Sequence, residues 1–155
     1  MRLSEIKLRF PVIGFSPDQD VWGFPDRRSL TTCGPRALRS QMHRGLEIID
    51  ARGRRHLVRS VTRVGRAGSF TSWFIMALLT AKPQSKIELE LEALSPIDLA
   101  EVKERVCIAI AAHPLFYCNP TEQAEAIPAL MGQIRSKRSF EAVHNALGLD
   151  SLEAY

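Results

Sequence analysis

The sequence predicts an α+β fold: an antiparallel sheet carrying a β-hairpin in the N-terminal half, and a mainly helical C-terminal half packed on one side of it. Three observations predict it. Ile87, Leu89, Leu91 and Ala93 alternate with Lys86, Glu88, Glu90 and Glu92, which marks a strand with one core face and one acidic face. Leu46–Asp50 and Arg55–Val64 flank Ala51-Arg52-Gly53-Arg54, a short loop in which Gly53 is free to take positive φ, and so read as a hairpin. After residue 95, helix-start signals recur without the strand–helix alternation of a doubly wound sheet. At 155 residues, with 45% hydrophobic and 25% charged residues, the chain is expected to form one domain over 1–155: strand-rich through 94, helix-rich over 95–148, with a loose tail at 149–155.

Taken in order, Ile6, Leu8 and Phe10 alternate with Lys7 and Arg9 and predict a first strand, ended by Pro11. The segments 14–18 and 22–26, rich in Gly and Pro, are expected to be loops anchored by aromatics. Leu30–Cys33 is short and suits a strand. Gly34-Pro35 then opens a helix to about Arg44, with Pro35 in the first turn and Gly45 as the stop. The strand after Arg55 is expected to bulge near Ser60. Residues 69–81 are apolar nearly all round and predict a buried helix. An interfacial membrane helix would need a polar face, which this one lacks.

Ser95-Pro96-Ile97-Asp98 predicts the next helix, capped by Ser95, with Leu99, Val102, Val106, Ala109 and Ile110 inward and Glu101 paired to Arg105. His113-Pro114 should stop it. Asn119-Pro120-Thr121-Glu122 starts another, in which Pro128 should cause a break or kink. Ser139 caps a last helix that buries Phe140, Val143 and Leu147 and ends at Gly148.

Charge is concentrated in one place. Residues 27–66 hold eleven arginines against Glu47 and Asp50, a net +9, while the rest of the chain is −5, giving +4 in all. Such an asymmetry points to an acidic partner or to an acidic surface of the same fold. An internal answer is available: if the strands pair, Arg55, Arg59 and Arg63 would face Glu88, Glu90 and Glu92 as a cross-strand ladder.

Cys33 is the one candidate nucleophile, because a helix start and nearby arginines would lower a thiol pKa. The run Cys33-Gly34-Pro35-Arg36-Ala37-Leu38 resembles the cysteine–helix junction of papain-like bacterial processing peptidases, in which Cys-Gly-Pro-Ala-Ala-Leu opens the helix. The resemblance covers six residues and implies a cysteine hydrolase. The glutamine that family carries a few residues upstream is missing, the nearest being Gln19. For the histidine, His113 is suitably spaced but falls at a predicted helix end, and His56 comes too early. A structural, buried cysteine is the favoured reading.

No metal is expected, since Cys107, His113 and Cys118 lack a close-set ligand pair, and no cofactor, since glycine-rich phosphate loops are absent. Three widely spaced cysteines make no disulfide framework, and the longest apolar run, 73–79, is far too short to span a bilayer, so a cytoplasmic protein without a membrane role is expected. The favoured function is a small, soluble, non-enzymatic interaction or adaptor protein, with toxin neutralisation among the kinds that fit. It would present Arg27, Arg28, Arg36, Arg39, Arg44, Arg52, Arg55 and Arg59 to an acidic protein. The alternative is a non-sequence-specific nucleic-acid binder, disfavoured because no Phe, Tyr or Trp interleaves the arginines between 27 and 66. A cysteine-dependent hydrolase using Cys33 is the second alternative.

Overall fold

The longest ladder joins β5 (Arg55–Arg66) to β6 (Ser85–Leu94), and the α+β architecture predicted from the sequence is built around it. The structure, a computed structural model, describes residues 1–80 and 83–148. The expected loose tail and the expected helix end at Ala81 and Lys82 lie outside the described residues. Ile87, Leu89 and Leu91 point into a core, as their period-2 spacing requires, and Glu90 and Glu92 are exposed on the other face. The strand β4 (Glu47–Ile49) pairs with β5 as the expected hairpin, Ile48 opposite His56. Register shifts between Val58 and Ser60, and between Arg63 and Gly65, bulge β5 where Ser60 leads one to expect it and once more beyond.

Two strands stand where loops were expected. Val12–Phe15 (β1) and Val21–Phe24 (β2) form an antiparallel hairpin at the edge of the sheet, with β1 also pairing to β4. Every residue of β1 is buried, so the strand reads as a continuous apolar run and leaves no alternation to detect. Gly14 is part of the reason it fits: a Cβ there would lie 3.0 Å from the Phe24 ring and 3.2 Å from Leu46. The strand expected over residues 6–10 does not form. Its backbone is held by side chains instead, Arg9 N–H donating to Asp50 and the Lys7 carbonyl accepting from Arg54.

The sheet order is β2-β1-β4-β5-β6-β3, with every pair antiparallel, where β3 is the two-residue Thr32–Cys33 on the edge of β6. A short helix α1 (Arg27–Thr31) precedes it, capped by Asp26, whose carboxylate accepts from Ser29 N–H at 2.7 Å. The next helix, α2 (Pro35–Arg39), is shorter than expected; tight turns carry the chain from Ser40 to Gly45. Leu30, Ala37, Leu38 and Met42 from this region cover one face of the sheet, over Val12, Ile48, Val58, Leu89 and Leu91.

The opposite face, carrying Ile13, Phe15 and Ile49, is covered by the C-terminal helices α4 (Leu99–Ala112), α5 (Gln123–Ser136) and α6 (Phe140–Leu147). The α4 stripe is as predicted, with Val102, Val106, Ala109 and Ile110 buried. Its cap is not: Asp98, not Ser95, accepts from Glu101 N–H at 2.7 Å. The reason is tertiary. Ile97 N–H donates to the Gly53 carbonyl, which keeps residues 95–98 extended across the β4–β5 turn. Nor does Glu101 take Arg105, which reaches Glu47 at 2.5 Å. The helix α5 runs through Pro128 without a break; Ala124, whose carbonyl loses its donor, and Pro128 are both exposed to water. Ser139 caps α6 and Gly148 ends it at positive φ, both as expected.

Candidate interaction surfaces

The helix α3 (Phe70–Thr80) joins β5 to β6, and it overturns the expectation of a buried element. Phe70 is 64% exposed, Phe74 51%, Ile75 49%, Leu78 70% and Leu79 76%. An apolar helix is expected in the core because burial normally accounts for such a composition. Here the α1–α2 layer covers one face of the sheet and α4–α6 cover the β1 and β4 part of the other; the part of that face left open is charged, with Arg59, Glu90 and Glu92 exposed. The helix α3 rides on the outer end of the β5–β6 hairpin, where Thr62, Arg63, Val64 and Arg66 are exposed too. The signal available in the sequence was that polar, glycine-containing end of β5, which offers no core for a following helix to join.

The arginine block divides into residues that serve the fold and residues that do not. Arg54 closes the β4–β5 turn on Asp50, with Nε at 2.8 Å and Nη2 at 2.6 Å. Asp50 is buried, and burial alone would push its pKa up. The Arg54 side chain and the N–H groups of Arg52, Arg9 and Arg54 overcome this and hold the carboxyl below its usual value. Arg55 shares Glu47 with Arg105, and Arg105 lies 4.1 Å over the Phe15 ring. Arg59 is paired to Glu92 on the exposed face. Arg27 brackets the N-terminal segment through the carbonyls of Leu3 and Ile6.

The cross-strand ladder is therefore real at a single rung. The bulge at Arg59 breaks the alternation on which three rungs depended, so that Glu90 accepts from the Ser60 hydroxyl and Glu88 from Ser4 N–H. Arg63 sits opposite Ile87 in the register, and no ion pair joins it to a described carboxylate.

Among the described residues, Arg28, Arg36, Arg39, Arg44 and Arg52 are exposed and make no ion pair. The first four belong to the α1–α2 layer; Arg52 is apart from them, in the β4–β5 turn. Two further cations, Arg66 and Lys86, flank α3. The Arg66 guanidinium lies 4.9 Å over Phe70 and 4.5 Å over Trp73, a cation–π contact at the helix start. Cys33 faces Ser85, where β6 begins, so the chain enters α2 at the end of the sheet from which α3 springs.

No protein-family model, curated protein or solved structure matches the chain. The site chemistry must be read from the side chains themselves. Cys33 is fully buried and its thiol is pushed up to about 11 by burial, against a smaller downward pull from Arg63. The expected lowering of its pKa is reversed, because the five-residue α2 provides little dipole and the thiol points into the core rather than at solvent. Cys107 is likewise buried against neighbours. Among the described residues no three His, Cys, Asp or Glu side chains are placed to hold a metal ion, and no helix is long and apolar enough to cross a membrane. Cations without partners and an uncovered apolar helix are groups that bind macromolecules.

Proposed function

We propose that this protein is a non-enzymatic interaction protein of the cytoplasm that presents the arginines of its α1–α2 layer to an acidic protein partner. The observation that carries the reading is the set Arg28, Arg36, Arg39 and Arg44: all are exposed, and no described carboxylate pairs with them. Carrying four like charges on one layer of the fold opposes folding through self-repulsion, and an acidic counter-surface relieves it. Three free cysteines, two of them buried, fit a reducing compartment. A protein is preferred to nucleic acid because the aromatics Phe70, Trp73 and Phe74 belong to α3, not to the layer that carries these arginines.

The test is affinity capture from nuclease-treated native lysate, wild type against R28E/R36E/R39E/R44E. The expected result is an acidic protein that is retained after nuclease treatment, released by salt, and lost with the charge-reversed variant. Capture that disappears with nuclease, or that is indifferent to the four substitutions, overturns the reading.

A further inference from the structure

We infer that the surface offered to the acidic partner continues from the α1–α2 layer round the end of the sheet to Arg63 and Arg66, and that Arg66 anchors a partner carboxylate there; the inference rests on the proposed function. The sheet register places the two arginines. Paired residues of neighbouring antiparallel strands share a face. Arg63 stands opposite Ile87, whose side chain lies in the core under the α1–α2 layer, and Arg66 stands opposite Ser85, in one row with Cys33. Both therefore leave the sheet on the side that carries α1 and α2, and the charge of Arg63 reaches the Cys33 thiol, three residues before Arg36. Lys86, opposite Gly65, alternates onto the other face with Glu88 and Glu90. Residues 27–46 and 51–87 hold no Asp or Glu, so no acid of these segments interrupts the run from Arg36 to Arg66. Arg63 and Arg66 are exposed, and neither forms an ion pair with a described carboxylate.

What sets Arg66 apart is that its side chain is already held. The guanidinium lies 4.9 Å over Phe70 and 4.5 Å over Trp73, and Phe70 is itself stacked on Phe74 at 6.2 Å between ring centroids. A guanidinium packed against rings keeps its N–H donors at its edge, in the planar fork that matches a carboxylate bidentately. It also has less rotamer freedom left to lose when a partner binds. An arginine beside aromatics is the kind of residue that dominates the energy of an interface. Arg28, Arg36, Arg39 and Arg44 have no ring beneath them among the described residues. They act as net charge, which steers the approach of an acidic surface and weakens as salt rises. The same packing speaks against a nucleic acid here: Arg66 covers Trp73, and Arg66 and Phe74 occupy Phe70, so ring faces that a base would stack on are in use.

The experiment is binding of a fluorescently labelled oligoglutamate of about twelve residues to the full chain, followed by anisotropy from about 20 to about 200 mM NaCl. Wild type is compared with Arg66→Lys and with R28E/R36E/R39E/R44E. Arg66→Lys keeps the charge and loses the fork, so affinity is expected to fall about tenfold at every salt concentration with the salt slope unchanged. The four charge reversals are expected to weaken binding and to flatten its salt dependence. Should Arg66→Lys disturb α3, wild type still tests the contact: a carboxylate on Arg66 shifts the emission of Trp73, and Trp73→Phe removes that shift. An Arg66→Lys variant that binds as wild type does overturns the inference and leaves the proposed function standing, as does a Trp73 emission that stays fixed at saturation. Binding that is absent at low salt, or indifferent to the four reversals, overturns both. An oligothymidylate of equal charge that binds more tightly than oligoglutamate, and loses affinity with Arg66→Lys, assigns Arg66 to nucleic acid and also overturns the inference.

Discussion

Acid should destabilise this protein in part through one buried ring. His43 is 1% exposed, lies 6.2 Å from Phe24 between ring centroids, and finds no hydrogen-bond partner for either ring nitrogen. Burial therefore lowers its pKa from 6.5 to about 4 in the folded chain. The sign follows from proton uptake. Below pH 6.5 the unfolded chain takes a proton that the folded chain refuses, so stability is complete above that value and falls as pH drops toward 4. With those two pKa values the loss is roughly 1–2 kcal/mol at pH 5.5 and roughly 2–3 kcal/mol at pH 4.5, relative to pH 8. Urea denaturation at the three pH values, followed by circular dichroism, measures it. Other groups titrate as well: His56 is also lowered, by burial first, and Asp50 loses its stabilising charge at still lower pH. The decisive quantity is consequently the difference between wild type and His43→Leu, in which the His43 share disappears and the pH 4.5–8 difference shrinks by roughly 2–3 kcal/mol. The same pH slope in both proteins would refute the reasoning.

Other perturbations have equally definite outcomes. Gly53 has φ +77° and a Cβ there would lie 2.6 Å from the Ile97 carbonyl oxygen, so Gly53→Ala should cost about 2 kcal/mol or more in urea unfolding at pH 8; a loss under about 0.5 kcal/mol would contradict the contact. Asp50→Asn leaves Arg54 unanswered in the turn and should cost on the order of 2 kcal/mol at pH 7, discounted because Arg54 is partly exposed, with the difference from wild type vanishing below the Asp50 pKa. Cys33 should resist thiol reagents in the folded chain at pH 8 and react only after unfolding, as mass mapping after brief labelling would show; rapid labelling below pH 7 would revive a nucleophilic role.

What was legible in the sequence was whatever local pattern decides. The strand of Ile87, Leu89 and Leu91 has one buried face and declares it, and the Gly53 turn and the Ser139 cap fix their own backbone chemistry. What escaped was decided by distant contacts. Val12–Phe15 hides its strand because both faces are covered, and Asp98 displaces Ser95 as a cap because Gly53 claims Ile97. The arginine block was visible as a block. Its division was not, because Arg54, Arg55 and Arg59 find their acids across the turn and the ladder, while Arg28, Arg36, Arg39 and Arg44 find none among the described residues. The position of α3 escapes for a related reason: composition states that a helix is apolar, and only the tertiary arrangement states that the apolar faces of the sheet are already taken and that the face left open on β5 and β6 is charged.

That division of the arginines is the central claim, and unfolding free energy at low salt tests it most directly. R28A/R36A/R39A/R44A is predicted to unfold within about 1 kcal/mol of wild type, on the stable side if relief of like-charge repulsion dominates, whereas Arg54→Ala alone should lose on the order of 2 kcal/mol. A quadruple variant destabilised by more than about 3 kcal/mol, or an Arg54→Ala variant as stable as wild type, would contradict it.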